Sequence, residues 1–275
     1  MKRSMTMMAA ATASLMTAMA AAQAVEVTVT VTNTQGQGGL SLTPLWLAFH
    51  DGGFDAFDLG GTASQGVEDI AEVGVAAAAR DELLAAQASA LGGLVGSPDG
   101  PPPIQPGETV SITFDLDPTD HRFVQFLSMI LPSNDAFIGL DDAIALFGDD
   151  GAFLGPQTFE ITSALAFDAG TEVNDPAAGG AFVDGVDATA GGEEGGVITT
   201  GLTAAGLGLT DGLLLADGSM LSLVLAEAFF GGQAALGTIT IDLADASPVP
   251  VPGALLLMGP ALLGLGAARA RAKRA

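Results

Sequence analysis

Hydrophobic and polar positions alternate most strictly in Val25 to Thr32, VEVTVTVT, where every second residue is valine and the residues between are acidic or hydroxylated. A two-residue period of β-branched side chains predicts a strand with one buried and one solvated face. Leu42 to Phe49 predicts the next strand, in which Pro44 implies an edge position or a bulge. Glu108 to Leu116 (ETVSITFDL) and Ala235 to Leu243 (ALGTITIDL) read as further strands, the second closing the fold. From His121, HRFVQFLSMIL mixes apolar and polar positions as a strand with one or both faces covered would. Thr158 to Phe167, TFEITSALAF, reads as one more strand. Among the early strands, Gly66 to Ala90 is alanine-rich and acidic at its start, which predicts a helix or helix pair interrupted at Gly74. Asn33 to Gly39 and Gly92 to Gly107 carry turn and proline-glycine chemistry. Gly179 to Gly196 reads as a mobile acidic loop, and Asp217-Gly218 as a hairpin turn between two apolar runs. No internal repeat points to a solenoid or propeller. These elements predict an all-β fold, an antiparallel β-sandwich with a helical insertion, over residues 25–246.

Two predicted strands run into acidic loops. Behind Leu131, Pro132 removes a ladder donor and Ser133-Asn134-Asp135 supplies turn chemistry, so Asp135 is expected at a sandwich rim with its carboxylate free to take a ligand. Behind Phe167 come Asp168 and, four residues on, Glu172. If both strands end on one rim, Asp135, Asp168 and Glu172 converge. Three close carboxylates repel one another, and a hard cation such as calcium, with its six to eight oxygen ligands, relieves the repulsion.

The run SMILPSNDAFIGLD from Ser128, followed by FDAGTEVND from Phe167, resembles the paired signature of spondin domains, the N-terminal-type module of F-spondin and mindin and of their bacterial relatives. The earlier LTPLWLAFHDGGFDAFDLGGTAS from Leu42 resembles the opening of the bacterial members, so the likeness spans residues 25–187. The resemblance implies a C2-like antiparallel sandwich holding one calcium ion at a loop-bearing edge, with Asp135, Asp168 and Glu172 as the ligand acids. Glu172 stands where the vertebrate form has Asp, a departure that keeps the carboxylate on a longer arm.

Charge changes the picture next. All 32 acidic residues fall between Glu26 and Asp245, and Arg80 and Arg122 are the bases of that stretch, leaving a formal charge of −30. Nucleic acid is thereby excluded as a partner. Such a body stays soluble, and divalent cations lower its self-repulsion. Most of the acids read as a solvated coat suited to salty surroundings. Cysteine is absent, so no disulfide staples the fold. His50-Asp51-Gly52-Gly53, with Asp55 and Asp58, offers a metal cluster on paper. Calcium is a poor match for histidine and the chain has only His121 besides, so the loop reads as polar chain shaped by glycine.

The termini carry their own signals. Residues 1–24 show Lys2 and Arg3, an apolar stretch and Ala22-Gln23-Ala24, the layout of a secretory signal helix with a mature start at Val25. Residues 247–275 hold a proline spacer, the apolar run Gly253 to Ala268 and a basic end with Arg269, Arg271, Lys273 and Arg274. This tail resembles PEP-CTERM sorting signals in a variant whose motif lacks the glutamate, and it predicts a C-terminal hydrophobic helix that meets the inner membrane at least transiently. Its basic end stays cytoplasmic and the acidic body lies outside.

Enzyme signatures are missing: no nucleophile elbow, no His-Glu-x-x-His, no phosphate loop with its lysine. The expected function is therefore that of an exported, surface-sorted, calcium-binding module for adhesion or matrix contacts, its partner an unidentified extracellular protein or polysaccharide. Two alternatives stay open. One is a structural surface protein whose calcium only stiffens the fold; the other is a secreted hydrolase using the acidic rim, which lacks an aromatic sugar platform because Trp46 is the only tryptophan and tyrosine is absent.

Overall fold

The computed structural model describes residues 24–96 and 103–244. The expected signal helix and the C-terminal sorting helix lie outside them. Among the described residues no helix is long and apolar enough to cross a membrane.

The alternation at the start becomes β1 (Val25–Asn33), with Val27, Val29 and Val31 fully buried. Its intervening threonines face out and pair across the ladder with β5 (Thr109–Leu116): Thr28 to Thr113 at 2.9 Å, Thr30 to Ser111 at 2.7 Å, Thr32 to Thr109 at 3.0 Å. These two strands join β12 (Gly237–Leu243) and β9 (Gln157–Ile161) in a four-stranded sheet of order β5-β1-β12-β9.

The facing sheet is larger. It contains β2 (Ser41–Leu42), β3 (Leu45–His50), β4 (Leu91–Val95), β6 (Phe123–Leu131), β7 (Ala136–Gly139), β8 (Ile144–Ala145), β10 (Ala166–Asp168) and β11 (Thr199–Thr200). The path runs β11-β10-β7-β6-β3-β4, with β2 and β8 also paired to β6. Both faces of this sheet are covered, which is why all six residues of β3 are buried. Leu45, Leu47 and Phe49 join the core between the sheets, whereas Trp46 and Ala48 pack with Val67, Ile70 and Leu83 beneath the helical insertion.

That insertion is a pair, α1 (Gln65–Val73) and α2 (Ala77–Ala86). Ser64 caps α1 by accepting from the Val67 amide, and Gly74 ends it at φ 68°, a left-handed conformation open to glycine because it has no Cβ, which here would lie 2.5 Å from Thr43 Cγ2. Glu82 of α2 ties back to the start of α1, accepting from the Ser64 hydroxyl at 2.8 Å and the Gly66 amide at 2.9 Å.

Three expectations are corrected and one, at Pro44, is met. Thr158 to Phe167 is not one strand: β9 belongs to the smaller sheet, a 3-10 turn at Ser163–Leu165 carries the chain across, and β10 joins the larger one. Pro44 does mark a bulge: Ser41 and Leu42 pair with Leu131 and Ile130 but Trp46 pairs with Leu127, so three residues of this strand stand opposite two of β6 between β2 and β3. The Asp217-Gly218 hairpin forms, with Leu214 bridged to Met220 and the Ser219 amide on Asp217 Oδ1 at 2.9 Å, but it is short and the second apolar run continues into α3 (Leu223–Phe230). Alanine, leucine and glutamate favour that helix, which buries Ala226, Phe229 and Phe230. Finally, Gly179 to Gly196 is held by bridges Ser133 to Ala181 and Glu172 to Glu193, so it packs as a wall against the acidic loops.

Candidate functional site

The turn after β6 is closed locally. Leu131-Pro132 is a cis peptide, and the Ser133 hydroxyl donates to the Ile130 carbonyl at 2.6 Å while accepting from the Ala136 amide at 3.2 Å. This turns the chain from β6 into β7 and places Asn134 and Asp135 at the tip. β7 then pairs with β10, setting Ala136 opposite Asp168, and the Ala169 amide donates to the Asp135 carbonyl at 3.1 Å. Two acidic loops distant in sequence thus become one structure.

Asp135 is fully buried, which departs from the open rim expected of it. Its Oδ2 accepts from the Thr171 amide at 2.8 Å, the Glu172 amide at 3.1 Å and the Thr171 hydroxyl at 3.3 Å. Asp168 accepts from the Gly170 amide at 2.9 Å through Oδ1 and from Asn174 Nδ2 at 2.8 Å through Oδ2. Gly170 is obligatory there, since φ is +67° and a Cβ would lie 2.7 Å from both the amide nitrogen and the carbonyl oxygen of Val197. Glu172 is buried as well, its Oε2 3.5 Å from Asn134 Nδ2.

The expected acids therefore meet in one loop pair. As they stand, no group of three or more acidic, histidine or cysteine side chains is gathered to hold a metal ion among the described residues. The arrangement instead mixes carboxylates with amides. Among the described residues, five buried side-chain polar atoms lack a partner, and the three oxygens in that set are Asn134 Oδ1, Asp135 Oδ1 and Asn174 Oδ1. All three sit in these two loops. Sequence reasoning missed both asparagines, although PSND and EVND displayed them beside the acids.

Electrostatics match this crowding. Burial, reinforced by the charge of Asp168, pushes the Asp135 carboxyl up to about 6 despite its three donors. Burial raises Glu172 to about 7, helped by Glu72, Asp135 and Glu68. Glu72 is itself raised, first by burial and then by the charges of Glu68, Asp69 and Glu193. Glu68 and Glu72, one helical turn apart on α1, line a cavity of about 460 Å³ with Thr171, Glu172, Gly191 and Glu193. The helical insertion thus supplies negative potential to the site. The i to i+4 spacing of two glutamates was the available signal.

The other sequence candidate stays a loop. The Gly52 amide donates to His50 Nδ1 at 3.1 Å and the Gly53 amide to Asp51 Oδ1 at 2.9 Å within the turn, Asp55 accepts from Gln125 Nε2 at 2.8 Å, and His50 Nε2 is buried without a partner among the described residues.

The Spondin_N family model matches residues 39–176, a span that takes in the helical pair and all three acids. No curated protein matches the chain.

Proposed function

Because the chain belongs to the Spondin_N family, we propose that it acts as an extracellular binding module that holds a calcium ion through Asp135, Asp168 and Glu172 and makes adhesive or matrix contacts with an extracellular protein or polysaccharide. The observation that carries the calcium reading is the trio of buried oxygens without donors at Asn134, Asp135 and Asn174. A buried acceptor left unmatched costs about 1–3 kcal/mol, and a hard cation takes carboxylate and amide oxygens together. The donor set fits calcium better than zinc: it is all oxygen, with no thiolate and no imidazole in the two loops. A bound ion would also favour the charged forms of Asp135 and Glu172, which burial first and neighbouring carboxylates second hold above their ordinary range.

The chain's own residues prepare the place. Thr171 and Glu172 amides fix one oxygen of Asp135 and leave the other without a donor. Asn174 and Gly170 orient Asp168. Calcium supplies positive charge and cross-links the loops when bound; the role is binding, not catalysis. Export through a cleaved N-terminal signal and sorting through the PEP-CTERM-like tail complete the proposal, supported by the sequence pattern of residues 1–24 and 247–275.

Melting in chelator and in calcium tests the ion. At a hundredfold over its dissociation constant calcium adds about 2.7 kcal/mol, a rise of roughly 5–10 °C for a body of this size. Identical melting in both buffers refutes the site. Mass spectrometry of the exported protein tests processing, the expected N-terminus being Val25.

A further inference from the structure

A cavity of about 350 Å³ lies between α2 and the helix-facing side of β3 and β4, lined by Trp46, Ala77, Arg80, Gly92, Gly93 and Leu94. Its walls are mainly apolar, Leu94 being half exposed at 51%. Trp46 is only 2% exposed, and its indole Nε1 has no acceptor in the protein. A Cβ on Gly92 would lie 3.5 Å from that nitrogen and 3.2 Å from Arg80 Cγ, so the missing side chain keeps a gap between indole and arginine. Arg80 is one of two bases in the acidic stretch from Glu26 to Asp245. Asp81 Oδ1 engages its Nε at 3.3 Å and Nη2 at 2.9 Å, and Nη1 has no partner among the described residues.

The lining thus offers an indole N–H without an acceptor and a guanidinium that keeps Nη1 over from its pair with Asp81, and no acidic side chain lines the cavity itself. What fits is an acceptor with negative charge on an apolar body. β4 ends the strand order of its sheet and pairs with β3 alone, leaving its other edge open to an extended chain among the described residues. We propose that this cavity binds the carboxyl-terminal residue of an extended peptide. The apolar side chain lies against Leu94 and the indole, the carboxylate accepts from Arg80 and the Trp46 N–H, and the main chain runs along β4. The site is separate from the acidic loops and does not depend on calcium.

Trp46 makes the test direct, because the chain has one tryptophan and no tyrosine, and its emission reports this cavity. The full-length chain is titrated with N-acetyl-leucine in the presence of a chelator. A saturable emission change is expected, with N-acetyl-leucinamide, the same body without the charge, giving none over the same range. Hexanoate, which lacks the amide that would pair with β4, binds more weakly. Arg80→Gln weakens N-acetyl-leucine about tenfold or more, and Gly92→Ala closes the gap and abolishes the response. Melting temperatures of both variants near that of the unaltered chain show that they fold. Absence of a saturable change, equal responses to acid and amide, or indifference to Arg80→Gln overturns the proposal; hexanoate binding as tightly as N-acetyl-leucine overturns the peptide as its ligand.

Discussion

Asn33 and Asn134 are both fully buried asparagines next to strand ends, and they meet opposite fates. Asn33 donates to the Leu40 carbonyl at 2.9 Å and the Ile104 carbonyl at 3.1 Å, and its Oδ1 accepts from the Gln35 amide at 3.1 Å. Gln35 in turn takes the Leu40 amide at 2.6 Å. Gln125 is equally complete, donating to Asp55, Leu140 and Asp141 and accepting from the Ala56 amide. Around Asn134 the protein stops short: donors are used, but the oxygens of Asn134, Asp135 and Asn174 are left over. Burial of a polar side chain therefore says little about function. An unmatched acceptor in a cluster of acceptors says more, since the fold could have matched it as it matched Asn33.

The largest effect should come from breaking the matched region. Asn33→Leu strands the Leu40 carbonyl and the Gln35 amide, takes one of two donors from the Ile104 carbonyl, and is expected to cost about 3 kcal/mol, the same with and without calcium. Urea unfolding in both buffers measures it. The unmatched region should behave in the opposite sense: Asp135→Asn removes the calcium increment of about 2.7 kcal/mol yet leaves the chelated protein as stable as before at pH 8, because it deletes a penalised charge. If Asn33→Leu loses stability only in calcium, or Asp135→Asn collapses in chelator, the contrast between the regions is wrong.

Acidity sharpens the same contrast. Asp135 and Glu172 have folded values of about 6 and about 7, above those of the unfolded chain, so the ion-free fold favours their protonated forms. Their contribution is fully present below about pH 4 and is lost as pH rises through about 6 and then about 7. Chelated protein should therefore lose roughly 1–2 kcal/mol from these groups between pH 5 and 8. Calcium competes with the same protons, so its increment should grow over that interval. Urea midpoints at both pH values, in chelator and in calcium, check the two signs.

How much of this could be read in advance depends on what each signal encodes. Valines at every second position of β1 encode burial directly, and the strand formed as read. TFEITSALAF encodes only extended chain; the switch of sheet at Ser163–Leu165 depends on which neighbours β9 and β10 find, β12 in one case and β7 in the other. LVLAEAFF is apolar nearly all round and carries neither period clearly, so α3 was open to a strand reading. At the site, the acids were legible because charge is written in the sequence. The orphaned oxygens were not, because whether Asn134 is matched depends on residues as far away as Glu172 and Ala178, whose oxygens accept from its Nδ2 while nothing donates to its Oδ1.

Gly191 offers the smallest change that still separates the two regions. A Cβ there would fall 2.1 Å from Glu172 Oε1 and 2.3 Å from Cδ, yet its backbone is not in the left-handed region. The obstructed atoms are the far end of a flexible side chain, so Gly191→Ala should cost the chelated protein only about 0.5–1 kcal/mol, the price of a shifted rotamer. Calcium binding feels the same shift more sharply, because Glu172 must return to the seat the methyl has taken. Weaker affinity by isothermal titration, with chelated stability nearly unchanged, is the expected result. Unchanged affinity would remove Glu172 from the ligand set and leave Asp135, Asp168 and the amide oxygens to account for the ion.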